Sequence, residues 1–117
     1  MPPEAVLAAV AMGCLSTAIL VVNNLRDRDT DAKVGKNTLA VRLGVRGTRI
    51  EYCALLVVAF ALAVALGRPW PWLALVLAYA PLKRVLTQSG GALNAALGET
   101  ARMQLAFSVL LAVELWP

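Results

Sequence analysis

The residues best suited to chemistry lie in one stretch, Asn23-Asn24-Leu25-Arg26-Asp27-Arg28-Asp29-Thr30-Asp31-Ala32-Lys33-Val34-Gly35-Lys36-Asn37-Thr38. If the chain is helical there, Asn23, Asp27 and Asp31 fall at i, i+4 and i+8, which stacks three oxygen-bearing side chains on one face. Two carboxylates four residues apart repel, and a cation between them relieves the repulsion. Oxygen donors alone suit a hard ion such as Mg2+, which takes one or two carboxylates and fills its shell with water and substrate phosphates. Asp29 points to roughly the opposite face and is the weaker ligand. Arg26, Lys33 and Lys36 surround the carboxylates, and Gly35 supplies a turn that brings Lys36 back toward them.

Acid, metal and base in one place suit the departure of a diphosphate, whose oxygens gain negative charge as the bond breaks. The same residues also suit a plainer role. A mixed-charge run beside a membrane helix commonly forms a solvated face whose Lys and Arg meet anionic lipid. Spacing alone leaves both readings open.

The elements that must carry this stretch are apolar. Of the 117 residues, 60% are hydrophobic and only 15% charged, more apolar surface than a soluble domain of this size hides. The apolar residues form four blocks: Ala5 to Val22, Tyr52 to Gly67, Trp70 to Leu82 and Met103 to Leu115. The first runs 18 residues without a charge, close to the length that crosses a bilayer as a helix. The others extend through snorkelling flanks such as Arg68, Lys83 and Arg102. The expected architecture is all-α, a polytopic bundle of four transmembrane helices over about 4–24, 50–67, 70–87 and 100–116. A motif loop fills 25–49, and Pro81 threatens a kink in the third helix. Ala92 to Leu97 reads as a short interfacial segment after a Gln88-Ser89-Gly90-Gly91 breaker.

The first block is read as a retained helix. No basic region precedes it, and it ends without a small-residue cleavage pattern. Cys14 and Cys53, on different helices, read as small buried hydrophobes, and the lack of any His removes histidine-based catalysis. Seven of the eleven basic residues lie between the first two helices: Arg26, Arg28, Lys33, Lys36, Arg42, Arg46 and Arg49. With that loop in the cytoplasm, Lys83, Arg84 and Arg102 also fall inside and only Arg68 outside, as the positive-inside rule requires. The localisation expected is a cytoplasmic (cell inner) membrane, with the motif facing the cytoplasm.

The run NNLRDRDTDAKVGKNTLAVRLG resembles the second aspartate-rich motif of the UbiA-type intramembrane aromatic prenyltransferases. Within them it looks most like the 1,4-dihydroxy-2-naphthoate polyprenyltransferases of menaquinone synthesis, and the ending TARMQLAFSVLLAVELWP is similar to that branch's last helix. The resemblance implies nine transmembrane helices around a cavity, of which these four are the last. It implies two aspartate-rich motifs that hold Mg2+ and the prenyl diphosphate. Carried over, Asp27 and Asp31 bind metal with Asn23 beside them, while Arg26, Lys36 and Lys33 contact the diphosphate. Leu43 and Gly44 are expected to be a packing contact and a helix stop, and Thr38 a cap for a helix starting near Leu39.

The implied reaction is an electrophilic alkylation. Loss of diphosphate leaves an allylic cation, the electron-rich ring attacks it, and in the naphthoate branch the ring carboxyl leaves as carbon dioxide. No base or acceptor pocket is identified. Tyr52 and Tyr79 are aromatics that suit a cation, but helix packing explains them more simply. The family's first aspartate-rich motif is missing, since Glu4, Glu51, Glu99 and Glu114 stand singly. The chain is therefore expected to be a C-terminal half, inactive alone and completed by an N-terminal half of the same protein. Its other expected partners are a polyprenyl diphosphate, an aromatic acceptor and membrane lipid, with no nucleic acid. The alternatives are a sister enzyme acting on 4-hydroxybenzoate or homogentisate, or a non-catalytic membrane protein with a basic lipid-binding loop.

Overall fold

The computed structural model describes residues 2–67 and 69–115, with side chains through residue 113. Helix α1 (Pro3–Arg26) starts with Pro3 at its first position, where a missing N–H costs nothing, and carries the longest charge-free run. Ala11, Leu15, Ala18, Val22 and Leu25 form its buried stripe. Helix α2 (Arg28–Lys33) follows after one interrupted residue, Asp27. Helix α3 (Leu39–Ala65) begins at Thr38, whose hydroxyl accepts from the Val41 amide at 3.3 Å. A 3-10 turn (Trp70–Ala74) leads into α4 (Leu75–Thr87), and a second (Gly90–Leu93) leads into α5 (Asn94–Leu115). No strand occurs among the described residues.

Helix α1 packs against both α3 and α5, α4 packs mainly on α5, and α3 and α4 meet only lightly. Alanines at the contacts (Ala11, Ala18, Ala59, Ala63, Ala78) let backbones approach closely, the usual means of holding helices together in lipid. Phe60 is the aromatic hub. It meets Phe107 edge-on at 5.2 Å and Trp72 at 5.7 Å. Polar bonds tie the helices too: Gln104 to Ser16 and Ser108 to the Met12 sulfur join α5 to α1. Between α3 and α4 lies an apolar groove of about 510 Å³, lined by residues that include Cys53, Leu56, Phe60 and Trp72. Cys14 and Cys53 are both free thiols, and Val57, Val76 and Val113 are each more than 60% exposed, at 67%, 79% and 69%. Large aliphatic side chains in such numbers on the outside belong against lipid.

The fold is thus an all-α, polytopic membrane bundle, but its helices differ from the sequence expectation. Three stretches, Pro3–Arg26, Leu39–Ala65 and Gly90–Val113, are long and apolar enough to cross a membrane, instead of four. The block over 70–87 divides after Ala74 into a proline-containing 3-10 turn and α4, and the 13-residue α4 spans only about 20 Å. Pro81 sits buried inside α4, which continues through it. The 25–49 segment is mostly helical, because α2 lies within it and α3 starts at Leu39. The last helix starts at Asn94, six residues before the expected 100, and takes in much of the expected interfacial segment. Arg68, placed outside by the charge rule, and Trp116, at the expected end of the last helix, lie outside the described residues.

Candidate diphosphate site

The motif residues are positioned by the junction of α1 and α2. At Asp27 the backbone leaves ideal helix geometry (φ −93°, ψ 5°), yet its amide still bonds the Asn23 carbonyl at 3.1 Å. The Asp31 amide bonds the Asp27 carbonyl at 2.8 Å in turn. Four-residue spacing is therefore kept from Asn23 through Asp27 to Asp31, which keeps the three on one side of the backbone.

Arg26 organises the near half of this row. Its Nε donates to Asp27 Oδ1 at 2.9 Å and its Nη2 to Oδ2 at 3.0 Å, a two-pronged pair. Nη2 also donates to Asn23 Oδ1 at 2.5 Å. On the opposite side Nη1 donates to Asn94 Oδ1, at the first residue of α5, at 3.0 Å. The Arg26 hydrogen bond, with charge from Arg26 and Lys36, holds the Asp27 carboxyl below its ordinary value of 3.8 against partial desolvation, so Asp27 is ionised at neutral pH.

Lys36 reaches this field because α2 ends in a tight reversal. Gly35 adopts φ +76°, a conformation that suits glycine, and the Lys36 amide returns to the Asp31 carbonyl at 2.8 Å. Lys33 ends α2, is exposed, and makes no ion pair among the described residues. Asp31 also has no side-chain hydrogen-bond partner among them, and Asp29 is turned to Arg28 at 3.0 Å. Structure thus joins Asn23, Arg26 and Asp27 directly, sets Lys36 near Asp27, and leaves Asp31 and Lys33 open.

Beyond the row, the Asn37 amide lies against Arg42, and its oxygen is assigned to face the Arg42 Nε and Nη2, at 3.2 and 3.1 Å, because that orientation matches acceptor to donors. Gly44 breaks α3 with φ 76° and ψ 176°, and its carbonyl accepts from the Thr48 hydroxyl at 2.7 Å. Leu43 stays 44% exposed but covers Gly47, where an added β-carbon would come within 2.9 Å of Leu43 Cβ. Tyr52 is fully buried and bonds Thr100 at 2.9 Å, a packing role, while Tyr79 is exposed.

Two contacts were not legible in sequence. Asn94 meets Arg26 across 68 positions, and Arg49 closes the end of α4 through the Val85 and Gln88 carbonyls. Neither contact has a local signal, since an isolated Asn after a glycine pair and one Arg among many look like ordinary loop chemistry.

Residues 1–112 match the UbiA prenyltransferase family. The chain belongs to that family. This UbiA-family chain is 53% identical over 74 residues to the 1,4-dihydroxy-2-naphthoate octaprenyltransferase of Mycobacterium tuberculosis, covering 63% of this chain and 25% of that protein. It is 51% identical over 69 residues to the protein of the same name from Haemophilus influenzae, covering 56% and 22%. With that of Bacillus subtilis it shares 31% identity over 122 aligned positions, 96% of this chain and 39% of that protein. The chain therefore spans about a quarter to two fifths of the length of these curated relatives. No solved structure matches it.

Within the UbiA-family frame, the donor set fits a hard cation as part of a site. A carboxylate offers about four lone-pair positions. Arg26 occupies one on each Asp27 oxygen and leaves the others, while Asp31 is uncommitted. Among the described residues no three His, Cys, Asp or Glu side chains gather as a metal-binding group. Asp27 and Asp31 would hold the ion with water and phosphate oxygens completing its shell, the usual habit of Mg2+.

Proposed function

We propose that this chain is the C-terminal part of an aromatic prenyltransferase. The whole enzyme moves a polyprenyl group from polyprenyl diphosphate to 1,4-dihydroxy-2-naphthoate in menaquinone synthesis. The observation that carries the reading is the Arg26 guanidinium locked on Asp27 and Asn23, with Lys36 returned beside them. A carboxylate row flanked by a held arginine and a nearby lysine suits a metal-bridged diphosphate. Mg2+ held by Asp27 and Asp31, with Asn23 alongside, would screen the phosphate charge. Arg26 and Lys36, and Lys33 from the exposed end of α2, would take the charge that grows on the diphosphate as it leaves. The allylic carbon then bonds the acceptor ring, and the ring carboxyl departs as carbon dioxide. The four-helix count is not part of this reading, but the inner-membrane setting with the motif toward the cytoplasm is, on the weight of basic residues beside it.

Asp27 and Asp31 supply one part of the metal shell, so catalysis needs the rest of the protein, and these 117 residues alone are inactive. The names of the relatives favour a naphthoate acceptor over 4-hydroxybenzoate or homogentisate. The lipid-binding alternative loses two of its basic residues to contacts within the protein, Arg26 to Asp27 and Arg49 to α4, while Lys33, Lys36, Arg42 and Arg46 stay exposed.

The test places Asp27→Ala and Asp31→Ala in the full-length protein and follows Mg2+-dependent binding of farnesyl diphosphate together with prenyl transfer. Loss of both in each variant is the expected result. Binding that survives both changes and ignores Mg2+ would sink the proposal, and a gain in affinity for anionic vesicles on Asp27→Ala would favour the lipid reading.

A further inference from the structure

Arg26 carries five N–H donors on a rigid plane. Four are spent: Nε and one Nη2 hydrogen on Asp27, the second Nη2 hydrogen on Asn23, and one Nη1 hydrogen on Asn94. The first three bonds go to two residues, Asn23 and Asp27, on the last turn of α1 or just after it, so they move with Arg26. Asn94 stands on α5, 68 positions away, and among the described residues it gives the one bond that fixes the guanidinium against another helix. Other polar links between α1 and α5, Ser16 to Gln104 and Met12 to Ser108, lie further down the bundle. The 3-10 turn before Asn94 is itself anchored, because Leu93 is fully buried in the core that holds Leu25.

We propose that Asn94 is a positioning residue for the diphosphate site, acting through Arg26. The inference rests on the diphosphate reading above. Asn94 is neutral, so it holds Nη1 without cancelling the Arg26 charge, and it leaves a single Nη1 hydrogen for a ligand oxygen. An amide is suited to that task where a carboxylate is not. Aspartate would keep the acceptor oxygen but set a second negative charge beside the phosphate.

The experiment uses full-length protein in membranes and measures kcat and KM for farnesyl diphosphate at saturating acceptor, with a thermal melt of each variant as a folding control. Asn94→Ala is expected to raise KM roughly three- to tenfold with a smaller change in kcat, the scale of one ordinary, solvent-exposed hydrogen bond. In an Arg26→Ala background Asn94→Ala should add nothing, because its only route is lost. Asn94→Asp should raise KM further than Asn94→Ala although it keeps the bond. A KM unchanged by Asn94→Ala while Arg26→Ala raises it overturns the inference and leaves the site reading intact. A full Asn94→Ala effect on top of Arg26→Ala overturns it also, since Asn94 would then act through helix packing. If Arg26→Ala and Asp27→Ala leave KM unchanged as well, the site reading falls and takes this inference with it.

Discussion

Arg49 of α3 donates from Nε to the Val85 carbonyl at 2.7 Å and from Nη2 to the Gln88 carbonyl at 3.1 Å. The side chain thereby closes the C-terminus of α4, where carbonyls lack helical partners and carry partial negative charge. It joins two helices that otherwise touch little. Arg49→Ala should destabilise the protein by about 1–2 kcal/mol. Arg49→Lys, which keeps charge but loses the fork, should fall between. A thermal melt in detergent checks the order of the three.

The Arg26–Asp27 pair gives a pH dependence whose sign is fixed. The Asp27 carboxyl is lowered in the fold, chiefly by the Arg26 hydrogen bond. Its contribution is fully present above the ordinary carboxylate value of 3.8 and is lost as pH falls through the lower folded value. Stability should thus be flat near neutrality with respect to this group and decline in acid. Melting curves taken from pH 7 downward should show a smaller acid decline in Asp27→Asn.

Tyr52 and Thr100 set a proton direction. The Thr100 hydroxyl donates to the Ala96 carbonyl at 2.7 Å, so the Tyr52 hydroxyl is the donor in the 2.9 Å bond between them. Tyr52→Phe removes that donor and should cost about 1 kcal/mol. Prenyl transfer by the full-length protein should be nearly unchanged, because the ring is buried in packing. A large loss of activity with an unaltered melt would instead place Tyr52 in the chemistry.

Two glycines in α3 should fail for different reasons. Gly44 holds φ 76° and ψ 176°, a region essentially reserved for glycine, so Gly44→Ala should cost about 1–3 kcal/mol although no atom crowds it. Gly47 is crowded by Leu43 Cβ at 2.9 Å. Leu43→Ala keeps that β-carbon and should rescue neither variant, whereas Leu43→Gly should rescue Gly47→Ala alone. Paired melts of the singles and doubles decide it.

Local chemistry was the legible part of this molecule. The spacing of Asn23, Asp27 and Asp31, the cap at Thr38 and the turn at Gly35 each depend on neighbours within a few residues, and residue type announces them. Helix ends were harder. Apolar blocks mark where a helix meets lipid, but α3 runs on through Arg42, Arg46 and Arg49, all good helix formers. The reverse happened over 70–87, where Pro69 and Pro71 shortened an apolar block into a turn and a brief helix. Contacts such as Arg26 with Asn94 exist only once the bundle has closed, so no window of sequence contains them.

The break at Gly44 makes α3 one covalent rod with a joint in it. On one side, Leu39 to Leu43 are carried by the motif through Thr38; on the other, the helix is clamped by Tyr52, Leu56 and Phe60 in the core. A twist applied at the motif meets two soft dihedrals before it meets about 30 Å of stiff, lipid-embedded helix. The motif end can turn at Gly44 without dragging the long helix behind it.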